Sequence, residues 1–238
     1  MASTPTVILV HGAFADASGF AGIIRELQAQ GLDARAPVNP LRSLASDADA
    51  IARYSSTIDG PVVLVGHSYG GAVISEAAPA IKDTAGLVFL AALTPDVGQS
   101  CVSVQEGFPP PAVGQSIVPT PYDAPGAVGG PDLFIKIADF HEMFCADLPD
   151  EVAAPMAVSQ RPVSAAGFGE NAINAGWKDY PTWYMVSEKD KAISPECERF
   201  MAERMKADVE TASSGSHAAF IAQPEVFSNF IRRAIRNP

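Results

Sequence analysis

One run limits what this chain can fold into: Val62-Val63-Leu64-Val65-Gly66-His67-Ser68-Tyr69-Gly70-Gly71. A continuous apolar stretch rich in β-branched residues reads as a strand buried on both faces. It passes directly into Gly-x-Ser-x-Gly, and Ala72, Val73, Ile74, Ala77 and Ala78 then supply an apolar helix. A strand that turns this sharply into a helix lifts the central serine out of the sheet and is the form of a nucleophile elbow. Gly66 and Gly70 flank the serine because the turn presses backbones together and leaves no room for a Cβ. Ser68 itself is expected in a strained conformation.

The rest of the chain fits an α/β domain. Thr6 to Val10, Leu32 to Ala36, Ala85 to Leu90 and Thr182 to Val186 read as short buried strands, with a further one around Val209. Between them lie amphipathic helices. One is capped by Ser18 and carries Phe20, Ile23, Ile24 and Leu27 at i, i+3, i+4, i+7, ending at Gly31. Another opens at Ser43 or Ser46 and runs through Ile51, Tyr54 and Ile58, and the elbow helix reaches about Ala80. Ser194-Pro195-Glu196 starts a helix with a capping serine and a first-turn proline, and the last helix begins near Pro224. This alternation predicts a mostly parallel sheet of about six strands with helices on both faces.

The alternation fails between Thr94 and Tyr180. Residues 107–131 are crowded with Pro and Gly, followed by weakly helical pieces near Leu133 to Phe144 and Pro149 to Ser159. So long an irregular segment inside a domain is usually functional. The predicted organisation is a core of residues 1–93 and 181–238 with a cap, or lid, inserted at 94–180.

Composition narrows the partners. With 238 residues, 47% hydrophobic, the chain can bury one sizeable core. A net charge of −11 disfavours nucleic acid or an anionic membrane surface. No apolar run approaches a membrane span. The segment Met1 to Pro5 has no basic region and the apolar run after it is too short for a signal-peptide core, so a cytoplasmic address is expected. Cys101, Cys145 and Cys197 lack metal or redox spacing and read as reduced thiols. No metal or cofactor is expected.

A serine hydroxyl needs a base within reach and a third group to orient that base. Behind an elbow of this kind the acid and then the histidine follow along the chain. Of the histidines after Ser68, His217 lies in a small-residue loop, Gly215-Ser216-His217-Ala218, after the last predicted strand, whereas His141 lies in the cap. His217 is the candidate base. The acid belongs in the turn after the strand ending at Val186. Asp190 is the candidate, and Glu188 in the same turn is its rival. Two backbone N–H donors must face a developing oxyanion. Tyr69, after the nucleophile, supplies one, and Ala13 in His11-Gly12-Ala13-Phe14 the other. His11 is expected to hold that loop and His67 to be structural. Phe14, Phe108, Phe134, Phe144 and Trp177 are candidate substrate-pocket walls.

Four segments carry a resemblance: Val7 to Phe14, Gly66 to Gly71, Glu188 to Ile193 and Ser216-His217. Together they resemble the α/β-hydrolase superfamily, and more narrowly its compact branch of plant methylesterases, hydroxynitrile lyases and bacterial esterases. The resemblance implies an α/β-hydrolase fold whose sheet starts at the oxyanion-loop strand. It also implies two chemistries. Plant lyases carry a threonine after the first-strand histidine and a cyanide-stabilising lysine after the catalytic histidine. Here those positions are Gly12 and Ala218, which match the esterases. The expected activity is therefore serine-dependent carboxylesterase hydrolysis of a small, largely apolar ester. A hydroxynitrile lyase-like activity, acyl transfer at the same site, and a slow-turnover ligand-binding receptor or scaffold are the alternatives. An apolar cap surface could also support a homodimer.

Overall fold

Val7, Ile8, Leu9 and Val10 follow one another and every one is fully buried. Successive side chains point to opposite faces of a strand, so both faces must be covered, as in a parallel sheet between helical layers. The computed structural model describes residues 4–122 and 129–236. Within it the run is β1 (Thr6–Val10), followed by α1 (Ala21–Gln28), β2 (Ala34–Arg35), α2 (Leu44–Ser55), β3 (Val62–His67), α3 (Tyr69–Ala77) and β4 (Thr84–Leu90). The inserted segment contributes β5 (Ile117–Thr120), β6 (Asp132–Ile135), α4 (Ile137–Phe144), α5 (Asp150–Val158), β7 (Val163–Ser164) and α6 (Ala165–Gly169). The core then resumes with β8 (Thr182–Ser187), α7 (Pro195–Met205), β9 (Asp208–Ala212), α8 (Ala219–Ala222) and α9 (Pro224–Arg236).

The main sheet has the order β2-β1-β3-β4-β8-β9, with every neighbouring pair parallel. The chain steps outward from β1 to β2, crosses back past β1 to β3, and continues to β9. Right-handed crossovers in opposite directions put α1 on one face and α2, α3 and α7 on the other. α9 returns to pack along α1, and α2 packs on α3. The reversal falls between β1 and β3. A crevice opens at the carboxyl ends of strands where the order reverses, and this is where ligands bind in open α/β sheets. His11 to Phe14 and Ser68 both stand at that edge.

Local chemistry explains where elements stop. Asp16, in extended conformation, accepts the Ser18 N–H at 2.7 Å and opens a short 3-10 turn before α1. The cap is thus Asp16 rather than Ser18, which lies inside the turn. Ser43 is the residue that caps α2, accepting the Ser46 N–H at 3.1 Å. That helix ends at Ser55, one turn short of the expected Ile58. Hydroxyls of Ser55, Ser56 and Thr57 donate to the carbonyls of Ile51, Arg53 and Tyr54 and compete with further helical pairing.

The inserted segment is more ordered than its sequence suggests. β5, β6 and β7 form a three-stranded antiparallel sheet. Leu133 lies in a strand, and the helix expected near Leu133 to Phe144 begins only at Ile137. Residues 123–128 of the Pro- and Gly-rich stretch, and Met1 to Ser3 of the amino-terminal segment, lie outside the described residues. The insert is tied to the core by backbone. Phe14 N–H donates to the Arg161 carbonyl at 3.0 Å, and Ser164 N–H to the Leu41 carbonyl at 3.0 Å. Arg42 pairs with Asp132 at 2.5 Å. No helix among the described residues is long and apolar enough to cross a membrane.

Sterics hold the elbow. A Cβ on Gly66 would sit 2.6 Å from the Gly70 carbonyl oxygen, and one on Gly70 would run into the Val10 carbonyl. Gly70→Ala is therefore expected to lower unfolding free energy by roughly 1–3 kcal/mol, the usual cost of forcing volume into a packed interior. Gly169→Ala, whose Cβ meets nothing within 4 Å, should stay within about 0.5 kcal/mol of the parent. Urea unfolding of both variants checks the contrast.

Candidate active site

Ser68 sits between β3 and α3 with φ 55° and ψ −126°, a conformation that non-glycine residues adopt only where their surroundings impose it. Its carbonyl accepts the N–H groups of Gly71 at 2.9 Å and Leu93 at 3.0 Å, and its N–H donates to the Leu90 carbonyl at 3.3 Å. These bonds fix the backbone and leave the hydroxyl at the mouth of a cavity. The β1 loop runs against it so closely that a Cβ on Gly12 would lie 2.6 Å from Ser68 Cβ and 3.1 Å from Ser68 Oγ. Gly12 is there because nothing larger passes. Ala13 follows in the same loop, and Tyr69 is the first residue of α3, where helical N–H groups have no intrahelical acceptor.

His217 stands in the loop after β9, and its side chain is almost wholly buried. Its Nδ1 lies 2.5 Å from Asp190 Oδ2. The second Asp190 oxygen accepts the N–H groups of Ala192 at 2.6 Å and Ile193 at 2.9 Å. Of the two carboxylates in that turn, Asp190 meets the imidazole. Glu188 is half-exposed and pairs with Arg199 instead.

The remaining histidines have other partners. His67 Nε2 donates to the His217 carbonyl at 2.8 Å, and the two rings lie 4.6 Å apart. Burial, and then the neighbouring His217, push the His67 imidazole well below its usual range. It therefore braces the loop as a neutral ring and adds no charge beside His217. His11 Nδ1 donates to the Gly12 carbonyl at 3.0 Å, while its Nε2 accepts the Asn39 N–H at 3.1 Å. Burial lowers its basicity too. His141, in α4, bonds to the Leu148 carbonyl and to Asp150.

Ser68 and His217 face one cavity of about 170 Å³. Its walls include Phe14, Leu93, Ile117, Leu133, Val163 and Phe168, drawn from both core and insert. Four expected walls do not line it. Phe108 packs against Phe200 with ring centroids 5.2 Å apart and the rings tilted by 45°. Trp177 donates its indole N–H to the Pro95 carbonyl at 3.1 Å and is covered by Arg204. Phe144 stands edge-on behind His217 at 5.1 Å. Phe134 opens onto a separate surface hollow with Val118, Ile137 and Val158. The strand period explains this last case, since in β5 and β6 the cavity takes Ile117 and Leu133 while their successors Val118 and Phe134 point the opposite way. Had the insert been read as strands, that alternation would have separated the two sets.

Two further contributors were missed. Phe168 stacks on the Tyr69 ring at 5.5 Å, and Tyr69 Oη donates to buried Asp47 at 2.9 Å, so the Tyr69 side chain supports the wall from behind. Asp147, from the insert, accepts the Ser216 N–H at 3.0 Å and its hydroxyl, and Ala218 N–H donates to the Phe144 carbonyl at 3.0 Å. The insert thus clamps the loop that carries His217. Among the described residues no group of three His, Cys, Asp or Glu side chains is placed to hold a metal ion.

Comparison with known proteins agrees with this architecture. A probable hydrolase, R7, from a Phoma species is 29% identical over 215 residues, covering 81% of this chain and 80% of that protein. Methylesterase 8 of Arabidopsis thaliana is 25% identical over 245 residues, covering 94% of this chain and 87% of that protein. The crystal structure of a pyrethroid hydrolase from Sphingobium faniae JZ-2 superposes with a TM-score of 0.82 at 23% identity over 99% of both chains, a likeness of fold. The model for the alpha/beta hydrolase family matches residues 7–230, nearly the whole chain, and the protein belongs to that family.

Proposed function

We propose that the protein is a serine carboxylesterase acting on small, largely apolar esters through Ser68, His217 and Asp190. The observation that carries this reading is that His217, paired with buried Asp190, lines the same cavity as the strained Ser68. Relatives named as a methylesterase and a probable hydrolase point the same way.

In this reading Asp190 accepts the Nδ1–H of His217 and fixes the tautomer whose Nε2 is free to take a proton. Ser68 Oγ attacks the ester carbonyl as His217 removes its proton. The N–H groups of Ala13 and Tyr69 hold the oxyanion of the tetrahedral intermediate. His217 then protonates the leaving alcohol, and water, activated by the same imidazole, releases the acid from the acyl-enzyme. The N–H groups of Ala192 and Ile193 hold the Asp190 carboxylate in place behind the imidazole. Among the described residues, the side chains that line the cavity include no Lys or Arg. A departing cyanide would find no permanent cation among them, which favours esters over cyanohydrins.

The size of the cavity sets the substrate class. An apolar space of about 150 Å³ accommodates a benzene ring, so one side of the ester is expected to be a short acyl chain or a single ring. On a p-nitrophenyl ester series, turnover should peak at short acyl groups and fall once the chain outgrows the space. Leu133→Ala should move that optimum to longer chains. Ser68→Ala should lower kcat by up to on the order of 10⁶, and Asp190→Asn by about 10⁴. Wild-type hydrolysis by Ser68→Ala would refute the assignment. Rapid labelling of Ser68 by a fluorophosphonate separates an enzyme from a binding protein of the same fold, and product analysis with added alcohol separates hydrolysis from acyl transfer.

A further inference from the structure

A second carboxyl lies against Asp190. Glu198, on the first turn of α7, is fully buried. Its Oε2 accepts the Ser187 N–H at 3.0 Å, while its Oε1 is buried and receives no N–H or O–H from the described residues. Ser187 joins the two residues, donating its N–H to Glu198 and accepting the Asp190 N–H on its carbonyl at 3.2 Å, and Asp190 is the charge that acts most strongly on the Glu198 carboxyl. Two carboxylates buried side by side cannot both ionise, and an ionised Glu198 would leave Oε1 without a donor. One shared proton removes both difficulties.

The surroundings decide which carboxyl holds it. Asp190 receives two backbone N–H groups on one oxygen and His217 Nδ1 on the other, so both its oxygens already accept from donors. Glu198 receives one N–H. The other titratable groups facing Glu198 are Tyr184, Cys197 and Arg199. The Tyr184 hydroxyl is committed to the Ala92 carbonyl at 2.6 Å, burial pushes the Cys197 thiol up to about 12, and Arg199 pairs with Glu188 at the surface. Burial, and then the Asp190 charge, push the Glu198 carboxyl well above its usual range.

We propose that Glu198 is a positioning residue: as the neutral acid it donates a hydrogen bond to Asp190 and holds the carboxylate that orients His217. This rests on the reading of His217 as the base, but the protonation of Glu198 does not. Unfolded glutamate releases its proton near pH 4.3. Folded Glu198 keeps it, so the native state binds more protons and wild-type stability falls as pH rises above that value, until the folded carboxyl ionises.

Thermal unfolding of wild type and Glu198→Gln between pH 4.5 and 8 tests the protonation without any activity. The amide keeps the shape and the donor but does not titrate. The Tm of Glu198→Gln minus that of wild type should grow with pH by on the order of 3 °C per unit within the window. A gap that stays flat or shrinks overturns the proposal even in an active esterase. On p-nitrophenyl acetate, Glu198→Leu should lose roughly tenfold or more in kcat with KM little changed. The acid limb of its kcat/KM profile should move to higher pH, because Asp190 loses a donor that disperses its charge. Glu198→Gln should recover most of that kcat. If Gln is as damaging as Leu while the Tm gap grows, the positioning role is overturned. If no ester is hydrolysed by the wild type, the ester reading fails and the Tm arm still decides the state of Glu198.

Discussion

Everything in this molecule is arranged around one close approach of backbones. The end of β1 and the turn from β3 into α3 press together where Gly12, Gly66 and Gly70 leave out side chains. That contact forces Ser68 to a positive φ and brings the loop of His11 to Phe14 alongside its hydroxyl. It also occurs at the point where the sheet reverses direction, so the crevice of the fold and the strained serine coincide. The right-handed crossovers that place helices on both faces deliver the loops after β8 and β9 to the same edge.

The electrostatics of that edge are kept simple by burial. His11 and His67 are held neutral and serve as braces, one for the β1 loop and one for the His217 loop. Asp190 is surrounded by donors, whereas Glu198 beside it has a single N–H. The insert adds a mechanical role to its role as a wall, because Asp147 and the Phe144 carbonyl grip the residues on either side of His217. One segment therefore both lines the cavity and holds the loop of His217.

The core was legible because its strands are short runs buried on both faces, separated by helices of clear period. The elbow and the His217 loop stood out for the same reason, since glycines and small residues mark turns that sterics impose. The insert was illegible because its sheet is built from strands of two to four residues whose partners lie far along the chain, as Leu133 with Val163 and Ile117 with Ile135. Pairing of that kind leaves no local period, and none of the aromatic residues expected there as walls, Phe108, Phe134, Phe144 and Trp177, lines the cavity. Glu198 left a fainter mark. It shares a helical stripe with Met201, Ala202 and Met205, all buried, and a glutamate heading an i, i+3, i+4, i+7 apolar stripe is the signature of a buried acid.

In the proposed mechanism the Ser68 hydroxyl becomes a nucleophile because His217, held by buried Asp190, takes its proton. Rapid quenching of the protein with p-nitrophenyl acetate in the first turnover, followed by peptide mass spectrometry, tests this at the atom concerned. An acetyl group is expected on the peptide containing Ser68, formed with the burst of nitrophenol and lost on the timescale of turnover. Steady ester hydrolysis with no acyl group on Ser68, or with the acyl group on another residue, would contradict it.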